Sequence, residues 1–168
     1  MNLLRIFIIS FFLFGCTSSS NQNIGDNSSV EYDDLRAFLK DSLPTALDLD
    51  SEFQDIFDQW KDFSTIKTVK KIKLTDAQQL SFPINLLKTD ILKIDDNVVP
   101  YKMDRPQIIG RFRVLKTDIL KINIDDLSSE NLELTKSHIS DIISSYNALV
   151  NTINLELKKA ENDDLILD

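Results

Sequence analysis

An all-α fold is what this sequence predicts, in the form of an antiparallel three-helix coiled-coil-like bundle with additional N-terminal helices. Three observations predict it. After residue 15, glycine occurs only as Gly25 and Gly110, and no Asn-Gly or Asp-Gly pair is present, which argues against a meander of tight β-turns. Apolar residues recur at spacings of three and four over long stretches, the period of one helix face. Most telling, the octapeptide Leu87–Ile94 (LKTDILKI) returns unchanged as Leu115–Ile122, at an offset of 28 residues. Twenty-eight residues are four heptads, so the two copies keep the same phase.

In chain order, Arg5 precedes the apolar run from Ile6 to Phe14. That run is too short to span about 30 Å of hydrocarbon, which takes about 20 helical residues, and it has the dimensions of a signal-peptide core. Leu13-Phe14-Gly15-Cys16 follows, with leucine three places before the cysteine and a small residue directly before it. This segment resembles the lipobox of bacterial lipoproteins. The resemblance implies diacylglycerol transfer to the Cys16 sulfur, cleavage after Gly15, and acylation (palmitate-type) of the new amine. The expected domains are thus a signal peptide over 1–15, lipidated Cys16 with a flexible tether over 16–29, and a helical domain over 30–168. With Thr17 rather than aspartate after the cysteine, the resemblance also implies the outer membrane, within a cell-envelope localisation. Cys16 is the only cysteine, so the domain holds no internal disulfide.

Residues 17–29 are almost free of apolar side chains and cannot bury enough surface to order themselves. Beyond them, Ser28-x-x-Glu31, Ser51-x-x-Gln54, Thr75-x-x-Gln78 and, nearly, Asp104-x-x-Gln107 fit the capping box that starts a helix. A first helix carries Leu35, Phe38 and Leu39 and breaks near Ser42-Leu43-Pro44. A second carries Phe53, Ile56, Phe57, Trp60 and Phe63 on one face, an aromatic stripe that reads as core. Three long helices are expected at about 75–97, 105–125 and 129–160. Leu80, Ile84, Leu87, Ile91 and Ile94 form the first seam, and Ile108, Phe112, Leu115, Ile119 and Ile122 the second, with identical steps. Pro100 and Pro106 forbid one continuous helix between the copies, so the two become arms of a hairpin. Pro83 either kinks the first arm or marks a start at Ser81. Ile139, Ile143, Tyr146, Val150, Ile153 and Leu157 supply the third seam. Lys88 and Lys116 are expected on the exposed flanks.

The chain has a net charge of -8 at pH 7, and removal of residues 1–15 takes away only Arg5, leaving -9. Such a surface disfavours nucleic acid as a partner. The acids are concentrated: from Glu31 to Asp62 there are ten against three bases, whereas Lys67–Lys73 and Lys102–Lys116 are basic. The simplest use of this asymmetry is docking of the acidic N-terminal helices onto the basic segments. His138 is the only histidine and has no companion ligand. Asp48-Leu49-Asp50-Ser51-Glu52 lacks the glycine and the later glutamate of a calcium loop. No nucleophile, metal or phosphate-cradling motif is present. The residues therefore point to no enzyme, catalytic residue, metal or cofactor, and leave a ligand site unassigned. More loosely, the mature part is similar to small uncharacterised helical lipoproteins of Bacteroidota, a resemblance that implies no activity. The expected partners are the membrane, through the N-terminal lipid, and an envelope protein. The role is that of a non-catalytic interaction or scaffold module, the alternative being a ligand-binding or inhibitor protein with a groove between helices.

Overall fold

A computed structural model describes residues 27–60, 62–95, 99–125 and 127–166, with side chains from residue 30 to residue 161. Helices account for every regular element among them, and the fold is all-α. Helix α1 (Asn27–Ala37) widens into a single π turn at Phe38–Ser42 and stops at Leu43, whose backbone turns extended ahead of Pro44. Its start at Asn27 lies three residues before the expected start of the domain at residue 30. The predicted second helix is broken into a 3-10 turn (Ser51–Phe53), α2 (Gln54–Asp58) and α3 (Phe63–Lys67), which runs on as a 3-10 stretch over Thr68–Leu74. The break leaves Phe53, Phe57, Trp60 and Phe63 buried, whereas Ile56, expected in the same stripe, is half-buried. Phe63 stacks with Phe57 at 5.6 Å and lies 5.3 Å from Trp60.

The expected arm over 75–97 is shorter, α4 (Ser81–Ile91) preceded by a 3-10 turn at Ala77–Gln79. Pro83 decides the start. It occupies the first turn, where a helix residue has no intrahelical acceptor for its N–H in any case, so the arm begins at Ser81 and does not kink. The second arm, α5 (Pro106–Lys121), opens on a proline at its first position and ends four residues before the expected 125. The third, α6 (Leu132–Ile166), runs six residues beyond the expected 160, at 35 residues in all. It is prepared by a reciprocal turn in which Asn131 Oδ1 accepts from the Ser128 N–H at 2.9 Å while the Ser128 carbonyl accepts from the Leu132 N–H.

The capping residues differ from the expected ones. Asp76, not Thr75, caps the turn at 77, its Oδ1 accepting from the Gln78 N–H at 2.9 Å. Thr75 instead donates to the Lys71 carbonyl. Asp50, not Ser51, stands at the cap position ahead of α2, and its carboxylate is taken up by Lys158. Arg105, without a side-chain cap, precedes α5. Ser28 carries no described side chain.

Helices α5 and α6 make the most extensive contact in the molecule. They are antiparallel, since Gln107 and Gly110 at the head of α5 share a groove with Thr152 and Glu156 towards the end of α6. The seam residues predicted for both are buried, from Ile108 to Ile122 and from Ile139 to Leu157. Ile142 and Leu149 are buried as well, which widens the apolar stripe of α6. The helix is packed from a second side, by the non-helical segment 43–50. Two asparagines one heptad apart on α6 hold that segment. Asn147 accepts from the Leu47 N–H at 2.8 Å and donates to the Thr45 carbonyl at 3.1 Å, and Asn154 accepts from the Asp50 N–H at 3.1 Å. They satisfy backbone groups that have no ladder of their own.

Helix α4 packs on α5, on α3 and on the 68–74 stretch. Here the exact repeat acquires a physical meaning. Lys88 donates to the Ile122 carbonyl at 2.8 Å, and Lys116, its counterpart, donates to the Ile94 carbonyl at 3.1 Å. Each copy's second residue thus caps the last carbonyl of the other copy, the signature of an antiparallel pair with local two-fold symmetry. The remaining polar positions also behave alike. Thr89 and Thr117 each bond the carbonyl four residues back, and Asp90–Lys93 matches Asp118–Lys121 as an ion pair. Lys88 and Lys116 are half-buried, not on an exposed flank as expected. Each satisfies a helix-end carbonyl with a charge-assisted bond. Lys88→Ala and Lys116→Ala are each expected to cost about 1 kcal/mol, twice what an exposed lysine would, and chemical denaturation of the two variants measures it.

Candidate functional site

Cys16, the one site residue expected from the sequence, lies outside the described residues, as do the signal peptide and most of the tether. Among the described residues no group of three or more His, Cys, Asp or Glu side chains could hold a metal ion, and no helix is long and apolar enough to cross a membrane. His138 is half-buried on α6. The acids of the calcium-like stretch are paired within the chain: Asp48 with Lys70, and Asp50 and Glu52 with Lys158. Hydrogen bonding to Asp50 is the largest influence on Lys158 and raises its pKa above the usual lysine value.

These pairs revise the expected docking of acidic helices onto basic segments. Among the described residues only Lys70 of the first segment pairs with these acids, and α6 supplies Lys136 and Lys158. Lys136, nearly enclosed between α1 and α6, binds both Asp34 and Glu133 at 2.8 Å. Burial is the largest single influence on Lys136 and lowers its pKa, yet the hydrogen bonds it donates to Asp34 and Glu133, together with the charges of those carboxylates, outweigh it and leave the value raised. Lys102, Arg105 and Arg111 remain exposed, and none of the ion pairs seen among the described residues involves them.

A cleft of about 680 Å³ lies at the far end of α6. Three segments distant in the chain build it: α2 with the turn before it, the turn at 100–102, and the last described side chains of α6. Phe53, Ile56, Pro100, Leu157 and Ala160 form an apolar floor. Phe53 and Leu157 continue into the core, so the floor is rigid. Tyr101 stands at the mouth, 92% exposed, an aromatic face unused by the chain itself. The exposed charges of Asp55, Glu161 and Lys102 also line the cleft. Among the described residues no serine, threonine, cysteine or histidine lines it. Its groups can bind and orient an apolar side chain flanked by charge.

A smaller crevice of about 480 Å³ between α1 and α6 is lined by Asp34, Glu133 and Lys136, whose charges already satisfy one another. Sequence reasoning missed the 680 Å³ cleft. Its only signal was Tyr101 between Pro100 and Pro106, an aromatic in a segment too short to bury it.

Compared with protein families, with characterised proteins and with solved structures, the chain matches none.

Proposed function

We propose that this protein is a lipid-anchored, non-catalytic interaction module of the cell envelope, held at the outer membrane through Cys16. The Leu13-Phe14-Gly15-Cys16 segment at the end of an apolar run carries this reading. Two acyl chains or more, at about 0.8 kcal/mol per buried methylene, make such an attachment effectively permanent. The packing of the domain supports a role in surface contacts. The α5–α6 seam is closed, with Ile108, Leu115, Ile119, Ile139, Ile143 and Val150 all fully buried, so nothing is carried inside it.

In this reading α6 is a strut and α4, α5 and α6 run up, down and up, the coiled-coil-like seam being strongest between α5 and α6. The first described element, α1, is pinned beside Lys136 near the start of α6, whereas the large cleft lies beside Leu157. The 21 residues between those two points span about 32 Å of helix. The lipid would attach at one end, and the open binding surface would face away from it.

Processing tests the anchor. Mass spectrometry of protein from membranes is expected to find a chain starting at acylated Cys16, and Cys16→Ser is expected to keep residues 1–15. Unmodified Cys16 in the mature protein would end the lipoprotein reading. The cleft at Tyr101 favours a second reading, an envelope protein that takes a small ligand between its helices. Native mass spectrometry of the freshly purified protein separates the two, because a carrier retains a small molecule and an interaction module retains none.

A further inference from the structure

Gly110 lies in the second turn of α5, where its backbone is ordinary helix. A Cβ built on it meets no heavy atom within 4 Å. Glycine inside a helix is destabilising relative to alanine, and no crowding by the described residues requires it here. Gly110 lines a groove of about 460 Å³ between α5 and α6. Val114 and Leu155, 47% and 54% exposed, supply its apolar surface. Arg111 stands on the α5 side and Glu156 on the α6 side. Lys159 occupies only Oε1 of Glu156.

We propose that this groove is a contact between two copies of the chain, with α5 of each crossing α5 of the other at Gly110. A two-fold contact brings the same patch together from both sides and so must be self-complementary. This patch is. Val114 can pack on Leu155 of the second copy, Arg111 can approach the carboxylate of its Glu156, and Gly110 lets the two backbones come close. A partner of one charge sign would leave either Arg111 or Glu156 facing its like, whereas a second copy offers both signs. The face measures about 24 Å along α5 by about 20 Å across the helix pair. It would bury about 1,000 Å² in all, the lower limit for a specific interface, so the pair is weak and reversible.

Two differently tagged full-length copies, produced together in cells with a photoreactive phenylalanine analogue at position 114, test the proposal. Irradiation is expected to give a product of twice the chain mass carrying both tags. The same analogue at Leu134, exposed on α6 away from the groove, should give at least tenfold less. Arg111→Glu should lower the yield from position 114 about tenfold, and adding Glu156→Arg should restore it to within about twofold. A merely structural role for either residue would not produce that rescue. Gly110→Ala should raise the melting temperature by about 2–4 °C; a lower one would mean that the fold itself needs the glycine. Crosslinks from position 114 only to a different protein, or none, overturn the proposal.

Discussion

Ile119→Asp is expected to abolish the cooperative fold. Ile119 is fully buried in the α5 seam between Leu115 and Ile122; the neighbouring Asp118 already pairs with Lys121, and Lys88 and Lys116 are engaged with the carbonyls of Ile122 and Ile94. A new carboxylate there has no partner and no water. Its desolvation costs several kcal/mol, and the lost isoleucine packing adds about 2–5 kcal/mol. A domain of this size has only about 5–15 kcal/mol in reserve. Ile91→Asp, at the matching position of the first copy and equally buried, is expected to do the same. Ser144→Asp, exposed on α6, should stay within about 0.5 kcal/mol. Urea melts followed by circular dichroism make the comparison, and a parent-like melt for Ile119→Asp would falsify the seam assignment.

The second large effect is alkaline. Tyr146 is 1% exposed, and burial, reinforced by the nearby charge of Asp48, pushes its phenol up to about 12. An unfolded tyrosine titrates near 10. Between those values the unfolded chain releases a proton that the folded chain keeps. Stability is therefore complete below pH 10 and falls as pH rises, by roughly 2–3 kcal/mol once pH 12 is passed. Lys121, Lys136 and Lys158 are also raised and act with the same sign, since their paired charged forms are lost on the alkaline side. Tyr146→Phe removes only the phenol's share. Its stability against pH should run flatter than the parent's above pH 10, and parallel curves would show that Tyr146 titrates normally.

The core was legible because heptad spacing depends only on which residues are apolar. Every seam position from Leu80 to Ile94 and from Ile108 to Ile122 is buried, as are Ile139 to Leu157 at the expected steps. The breaks at Leu43 and ahead of Pro106 were legible for an equally local reason, the fixed geometry of proline. Caps were read one residue out at Thr75 and Ser51. Neighbouring hydroxyl and carboxylate groups compete for the same N–H groups, and spacing alone does not separate Thr75 from Asp76. The half-burial of Lys88 and Lys116 depends on the register in which the two copies meet, and the extra stripe of Ile142 and Leu149 on a second layer over α6. Neither is a property of one helix. The cleft at Tyr101 drew on residues about 100 positions apart, so no local pattern announced it.

Trp60 is the chain's only tryptophan. Its ring lies tilted on Phe63 and meets the edge of Phe112 at 5.9 Å, one neighbour from the N-terminal layer and one from α5. Its indole N–H is buried with no acceptor among the described residues, so the excited state is expected to relax in an apolar cage and emit at short wavelength. Parting of the two layers would wet that cage at once, whereas the α5–α6 hairpin could keep its ellipticity. Comparing the red shift of emission with the loss of helical signal during one melt therefore asks whether layer and hairpin come apart together. The molecule carries its own optical gauge at the joint between them.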